Sequence, residues 1–214
     1  MAYAVRTHLS IVQVPSGGAW GYSGNAPFTM AESWLGRRLS GSEDQRDLVL
    51  RYLAAFGPAM VKDVQAWSGL VRLKDWIQEL KPELRSFRDE RGNELLDLPD
   101  APLTPADTPA PVRFVPDYDN LILSHADRRR VIADEYRSKV FLSAGRVRAT
   151  FIVDGFVRGA WKIERARGTA TLVIEPFEKL SREARLALLQ EGERLVRFAG
   201  EDAEAFEVRF AEKV

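Results

Sequence analysis

The stretch "AAFGPAMVKDVQAWSGL", residues 54–70, decides the fold. Two apolar, helix-forming runs flank the breaker pair Gly57-Pro58. A glycine closes a helix just past its last turn, and a proline is tolerated in the first turn of the next. Taken alone, the stretch fits a helix-turn-helix or a bent hairpin that only fills a core. Upstream, "SEDQRDLVLRYLAAFG" predicts a helix with Ser42 as its N-cap and acids in its first turn. Leu48, Tyr52 and Ala55 recur at helical spacing, and Leu53 and Phe56 widen the stripe. A second helix over about 59–67 puts Val61, Val64 and Trp67 on one side. A third, 71–80, carries Leu73, Trp76, Ile77 and Leu80 and stops at Pro82.

Residues downstream favour the first reading. "ELRSFRDERGNELLDL" alternates on both sides of a polar tip holding Gly92-Asn93, a strong hairpin signal. Three helices and then a two-stranded ribbon is the order of a winged helix, which we assign to 43–99. The third helix offers Arg72, Lys74 and Gln78, but also Asp75 and Glu79. Carboxylates repel phosphates, so both a DNA-reading helix and a plain structural module stand. The wing carries Arg85, Arg88 and Arg91.

Working outward, residues 1–42 are predicted to be irregular with one short helix, 29–39, capped by Thr29 with Glu32 completing a capping box. "VPSGGAWGYSGNAPF" predicts a loop pinned by Trp20, Tyr22 and Phe28; its glycines lack the context of a phosphate cradle. Prolines at 99, 102, 105, 109 and 111 predict a stiff linker over 100–112. Residues 113–214 change character. "VRFVPDYDNLILS" has strand composition, and three strands come after it, with turns at Asp154-Gly155 and Gly168. A helix capped by Ser181 then buries Leu186, Leu189, Leu195 and Phe198 and ends before Gly200; a last strand spans 206–210. The expected fold class is α+β: a winged helix-turn-helix module, then a small antiparallel sheet or partial barrel plugged by the C-terminal helix.

The chain of 214 residues is 45% hydrophobic and carries no net charge. Residues 124–168 hold eleven Lys/Arg against five Asp/Glu, a local excess that suits either a phosphate footprint or a solvated mixed surface. Cysteine is absent, which excludes disulfides and thiolate chemistry and agrees with a reducing cytoplasm. Two histidines, His8 and His125, make a zinc site unexpected. No metal, cofactor, secretory leader or membrane span is expected.

The most loaded run is "PDYDNLILSHADRRR". On a strand, Asp117 and Asp119 face the same way and could share acid–base work. The alternative is a turn in which they bond nearby backbone. His125 is a candidate general base, phosphate contact or surface residue. Arg128, Arg129 and Arg130 are candidates for DNA-backbone contact, although three consecutive side chains cannot all face one way. No Gly-x-Ser-x-Gly elbow supports a serine hydrolase.

Four separated motifs, "RYLAAFGPAMVKDVQAWSGL", "VPDYDNLILSHADRRRVI", "FIVDGFVRGAWKIE" and "LVIEPFEKLS", resemble a bacterial family. It is that of the AlkZ/YcaQ-type winged-helix DNA glycosylases, and the resemblance runs from about Val14 to the end. It implies binding of double-stranded DNA, excision of alkylated bases or unhooking of crosslinks, and chemistry from a Gln–hydrophobic–Gln motif in an N-terminal module. The five glutamines, Gln13, Gln45, Gln65, Gln78 and Gln190, are nowhere two residues apart. The expectation is therefore a DNA-binding short form without the catalytic motif. An active glycosylase and a winged-helix transcription regulator are the alternatives.

Overall fold

The computed structural model describes Val5 and residues 8–14, 27–39 and 45–212. The expected roles of Trp20, Tyr22 and Ser42 lie outside the described residues. Within 1–42, expected to be irregular, β1 (Ile11–Gln13) pairs antiparallel with β2 (Phe28–Met30). A short α1 (Ala31–Leu35) comes next, closed by Gly36 in the left-handed region. Thr29 therefore sits in a strand and caps nothing. Glu32 accepts a bond from the backbone N–H of Leu39 at 3.0 Å instead of completing a capping box.

The middle of the chain forms α2 (Gln45–Phe56), α3 (Val61–Ser68) and α4 (Leu73–Leu80). Their shared core buries Val49, Tyr52, Leu53, Val64, Leu73, Ile77 and Leu80. Ala55, expected in the stripe, is exposed, and Val49 takes its place. Trp76 was also expected inside but is 46% exposed. Gly57 and Pro58, joined by a cis peptide, lie between helices, and α3 begins only at Val61. The reason is Ala59, which is drawn into a bridge with Leu96, N–H to carbonyl in both directions at 2.9 and 2.8 Å. Leu96 belongs to the hairpin of β3 (Arg85–Arg88) and β4 (Glu94–Asp97). Its loop is wider than a two-residue turn: Asp89 accepts from the backbone N–H groups of Arg91 and Asn93.

Residues 98–112 hold no helix or strand and are mostly exposed. Beyond them lies a five-stranded sheet of order β5 (Arg113–Val115), β6 (Thr150–Val153), β7 (Phe156–Ala166), β8 (Thr169–Pro176), β9 (Ala205–Phe210). Only β5 of the strand-like 112–124 run is a strand. The chain then turns at Tyr118 and forms a short α5 (Asn120–Leu123). A further short helix, α6 (Arg137–Val140), precedes β6. Tight turns at Asp154-Gly155 and Arg167-Gly168, both residues of each at positive φ, join β6 to β7 and β7 to β8.

The sheet is mixed, not antiparallel: β9 runs parallel to β8. An 18-residue helix, α7 (Arg182–Ala199), crosses between them. Its length of about 27 Å matches about 26 Å for eight strand residues. The chain thus returns to the end where β8 began, and the next strand must run the same way. Ser181 caps the helix by accepting from Ala184 N–H at 3.1 Å. Its buried line is Leu188, Gly192, Val196 and Ala199; Leu186 and Phe198, expected inside, are 52% and 66% exposed. Close approach selects small residues, because a Cβ at Gly192 would stand 2.9 Å from side chains of both Leu172 and Val208. The opposite side of β6 and β7 is covered by residues 122–147, through Ile122, Ile132, Tyr136, Val140 and Val147.

The two halves are joined by residues 124–130, which lie against α2 and α3. Tyr52 donates from its hydroxyl to the Ser124 carbonyl at 2.7 Å. Asp63, only 1% exposed, accepts from Met60 N–H at 2.8 Å within its own helix and from Ala126 N–H at 2.9 Å across the junction. His125 is buried, with Nδ1 at 2.9 Å from Ser124 Oγ and Nε2 at 3.2 Å from the Phe56 carbonyl. Arg130 donates to the Pro58 carbonyl at 3.1 and 3.2 Å. Every bond here either satisfies a backbone group or engages a buried side chain, so water does not compete on equal terms.

Three consequences are measurable. Tyr52→Phe leaves the Ser124 carbonyl unanswered and should cost about 1–3 kcal/mol in urea unfolding; an unchanged midpoint would show that the junction holds without this bond. Gly159→Ala drives a Cβ to 2.2 Å from the Phe151 ring and 2.4 Å from the Glu175 carbonyl. It should destabilise by about 1–3 kcal/mol or more, as overpacking does. Burial, then the nearby Arg130, holds His125 below the usual histidine range, against opposing pulls from Asp63 and the Phe56 carbonyl. The unfolded chain therefore binds the proton first. His125 costs nothing above about pH 6.5, and stability drains as pH falls from there toward its lower folded value. His125→Gln should flatten that part of the stability–pH curve relative to the wild-type protein.

Candidate nucleic-acid interface

The hairpin tip and residues 127–130 face one another across a cleft of about 450 Å³. Arg88 and Arg91 line it from the hairpin, and Arg129 and Arg130 from the other side. Asp63, Asp89, Glu90 and Asp127 line it as well, so the cleft is not uniformly basic. What matters is which charges are already answered. Asp63 is engaged by two backbone N–H groups. Asp89 bonds the hairpin loop through the Asn93 side chain and the backbone of Arg91 and Asn93, and those bonds, the Asn93 amide first, hold its carboxyl below the usual range. Asp127 is clamped by Arg129, which approaches it through both Nε and a terminal nitrogen. Arg91 stands 3.7 Å from the same carboxylate, a loose pair at an exposed position.

Arg88 and Arg130 differ. Arg88 donates to the Gly92 carbonyl at 3.0 Å, and Arg130 to the Pro58 carbonyl. Both are held in place by neutral acceptors and keep their full charge toward solvent. A guanidinium fixed this way suits phosphate oxygens, because its remaining donors present a planar fork.

The other candidates are elsewhere. Arg72 is the N-cap of α4, in the left-handed region, and Lys74 is exposed in its first turn; neither lines the cleft. Arg85 lies with its guanidinium 5.9 Å from the centre of the Phe87 ring. Arg128 turns away from its two neighbours to stack on Phe141 at 4.5 Å. His125 faces inward, with both ring nitrogens engaged by the protein, so it is neither an outward phosphate contact nor a surface residue.

Asp117 and Asp119 do not share a strand. Residues 117 and 118 form a turn, with Tyr118 at φ 59°. Asp117 accepts from Ala149 N–H at 2.6 Å, and Asp119 caps α5 by accepting from Leu121 N–H at 2.8 Å. Each carboxylate performs the backbone-bonding role. Tyr52, which the sequence places only in the apolar stripe of its helix, and Asp63, to which it gives no role, carry the junction. A signal for Asp63 existed: it is an acid at the third position of a helix whose N-cap, Met60, has no capping oxygen.

Among the described residues, no group of three or more His, Cys, Asp or Glu is placed to hold a metal, and no helix is long and apolar enough to cross a membrane.

Known proteins share this fold. The chain resembles the interstrand DNA cross-link repair glycosylase of Streptomyces sahachiroi, with 26% identity over 160 residues, 72% of this chain and 42% of that one. Among solved structures it superposes on the DNA glycosylase AlkZ of the same organism with a TM-score of 0.70. At 24% identity the match covers 87% of this chain and 52% of that one, which supports the likeness of fold. The chain thus spans about half the length of these relatives. A family model described as DNA glycosylase AlkZ-like matches residues 1–198, nearly all of the chain, and the protein therefore belongs to the AlkZ-like DNA glycosylase family.

Proposed function

We propose that this chain binds double-stranded DNA and supplies the DNA-gripping part of an AlkZ-like glycosylase fold without itself releasing bases. In this reading, residues 43–99 are a winged-helix module with the hairpin as its wing. Residues 100–112 are a linker, and 113–214 are a second domain that carries the facing arginines. The observation that carries the proposal is the pair Arg88 and Arg130. They stand on opposite sides of one cleft, each fixed by a carbonyl and, among the described residues, neither paired to a carboxylate. Arg91 adds a third, loosely held charge. A duplex laid along this cleft would meet guanidinium groups from both halves at once.

Base excision by this chain alone is the less supported reading. A glycosylase must hold a water against the anomeric carbon as the base leaves. Asp117 and Asp119, the carboxylates put forward for that task, are both engaged with backbone N–H groups. A DNA-repair setting in the cytoplasm is part of the same proposal, and membership of the family supports it.

Duplex affinity should fall with salt along a negative log–log slope of several units, and Arg88→Ala or Arg130→Ala should each reduce that slope by about one. Alkylated duplex incubated with the chain should yield no abasic sites. A salt-independent interaction would remove the binding proposal, and accumulation of abasic sites would replace it with the enzymatic one.

A further inference from the structure

One acid in the cleft holds arginines where the others hold backbone. Asp63 and Asp89 engage backbone N–H groups, Asp89 with the Asn93 amide as well. Glu90 is exposed and, among the described residues, makes no ion pair. Asp127 draws an arginine from each wall. Arg129 sets its Nε 2.8 Å from Oδ1 and a terminal nitrogen against Oδ2, and its backbone N–H donates to Oδ1 at 3.2 Å. Arg91 reaches toward Oδ2 from the hairpin, 3.7 Å away. The Asp127 side chain is 24% exposed and lines the cleft.

A guanidinium fork on two oxygens, with a backbone N–H beside it, is also how a protein takes a phosphate. The Asp127 carboxylate therefore fills the place that a backbone phosphate of the duplex would take at Arg129. It is tethered two residues away, so it stands at an effective concentration that a diffusing phosphate does not match. Arg88 and Arg130 meet no such rival, since neutral carbonyls hold them.

We propose that Asp127 is an internal phosphate mimic that withholds Arg129, and in part Arg91, from DNA, and so sets how weakly the cleft grips duplex backbone. The proposal rests on the DNA-binding reading and names what tunes that same surface. Sequence-independent affinity comes from phosphate contacts. With Arg129 withheld, the cleft keeps the contacts of Arg88 and Arg130 and forgoes a further one. A weak hold on plain backbone lets the protein leave DNA that offers it nothing else.

The test measures duplex affinity against salt for wild type, Asp127→Asn, Glu90→Gln and Asp127→Asn/Arg129→Ala. Asparagine keeps the oxygen that caps residues 128–130. Asp127→Ser also keeps one, and takes its place if thermal melting shows the first variant unfolded. Asp127→Asn should bind duplex roughly three- to tenfold tighter and steepen the salt slope by about one unit. Glu90→Gln removes the same charge from the same cleft without releasing an arginine, and should show little of that gain. The double variant should show none of it. An equal gain in Glu90→Gln, a gain kept without Arg129, or no gain in Asp127→Asn overturns the mimic, while salt-dependent binding by wild type leaves the DNA reading standing. Thermal stabilisation by inorganic phosphate over chloride, at matched ionic strength, covers the converse case. If wild type ignores duplex but Asp127→Asn gains phosphate stabilisation that the double variant lacks, the mimic stands and the DNA-binding reading falls. If neither duplex nor phosphate acts on either protein, both are overturned.

Discussion

The structure depends on a short backbone segment held against two helices. Residues 124–130 offer the Ser124 carbonyl and the Ala126 N–H to Tyr52 and Asp63, while His125 and Arg130 reach back to the carbonyls of Phe56 and Pro58. No single one of these bonds is strong. Together they fix which side of the sheet-bearing half meets the hairpin. The cleft between Arg88 and Arg130 exists only because that junction sets its two walls. Asp63 matters most in it, since one buried carboxylate orders the start of α3 and anchors the second half at the same time.

The same segment sorts its arginines by the partners it gives them. Arg129 is neutralised by Asp127, Arg130 is steadied by a carbonyl, and Arg128 is laid on an aromatic ring. Three identical side chains in sequence thus have three different electrostatic fates. The distinction between an arginine paired to a carboxylate and one held by a neutral group separates a structural ion pair from a charge still available to a phosphate. Net charge cannot make that distinction, and for this chain it is zero.

Much of the architecture was legible from local pattern. The order of three helices and a hairpin, the exposed proline-rich stretch, the β6–β7 and β7–β8 turns and the Ser181 cap are all set by residues close in sequence. The misreadings share one cause: they depend on partners distant in sequence. Alternation reports a strand but not its direction, so the parallel β9 needed the length of α7 compared with that of β8. On α7, Leu195 packs on the core as expected, but Leu186 and Phe198 point outward, because a helix packed closely on a sheet marks its buried line with Gly192 and Ala199. Of the two readings that spacing leaves open for Asp117 and Asp119, the structure has the turn: the bend at Tyr118 splits them between two backbone N–H groups. His125 looked outward among charges, yet its neighbours in space are Tyr52 and Phe56.

The central claim is that one DNA-facing surface is assembled from both halves by the 124–130 junction. Amide hydrogen exchange of the whole chain, with and without a duplex, addresses it directly. Protection should rise together in the hairpin loop, residues 88–93, and in residues 126–131, at the same duplex concentration. Protection limited to one of these segments, or confined to α4 with the cleft untouched, would contradict a shared surface and leave the junction a purely structural feature.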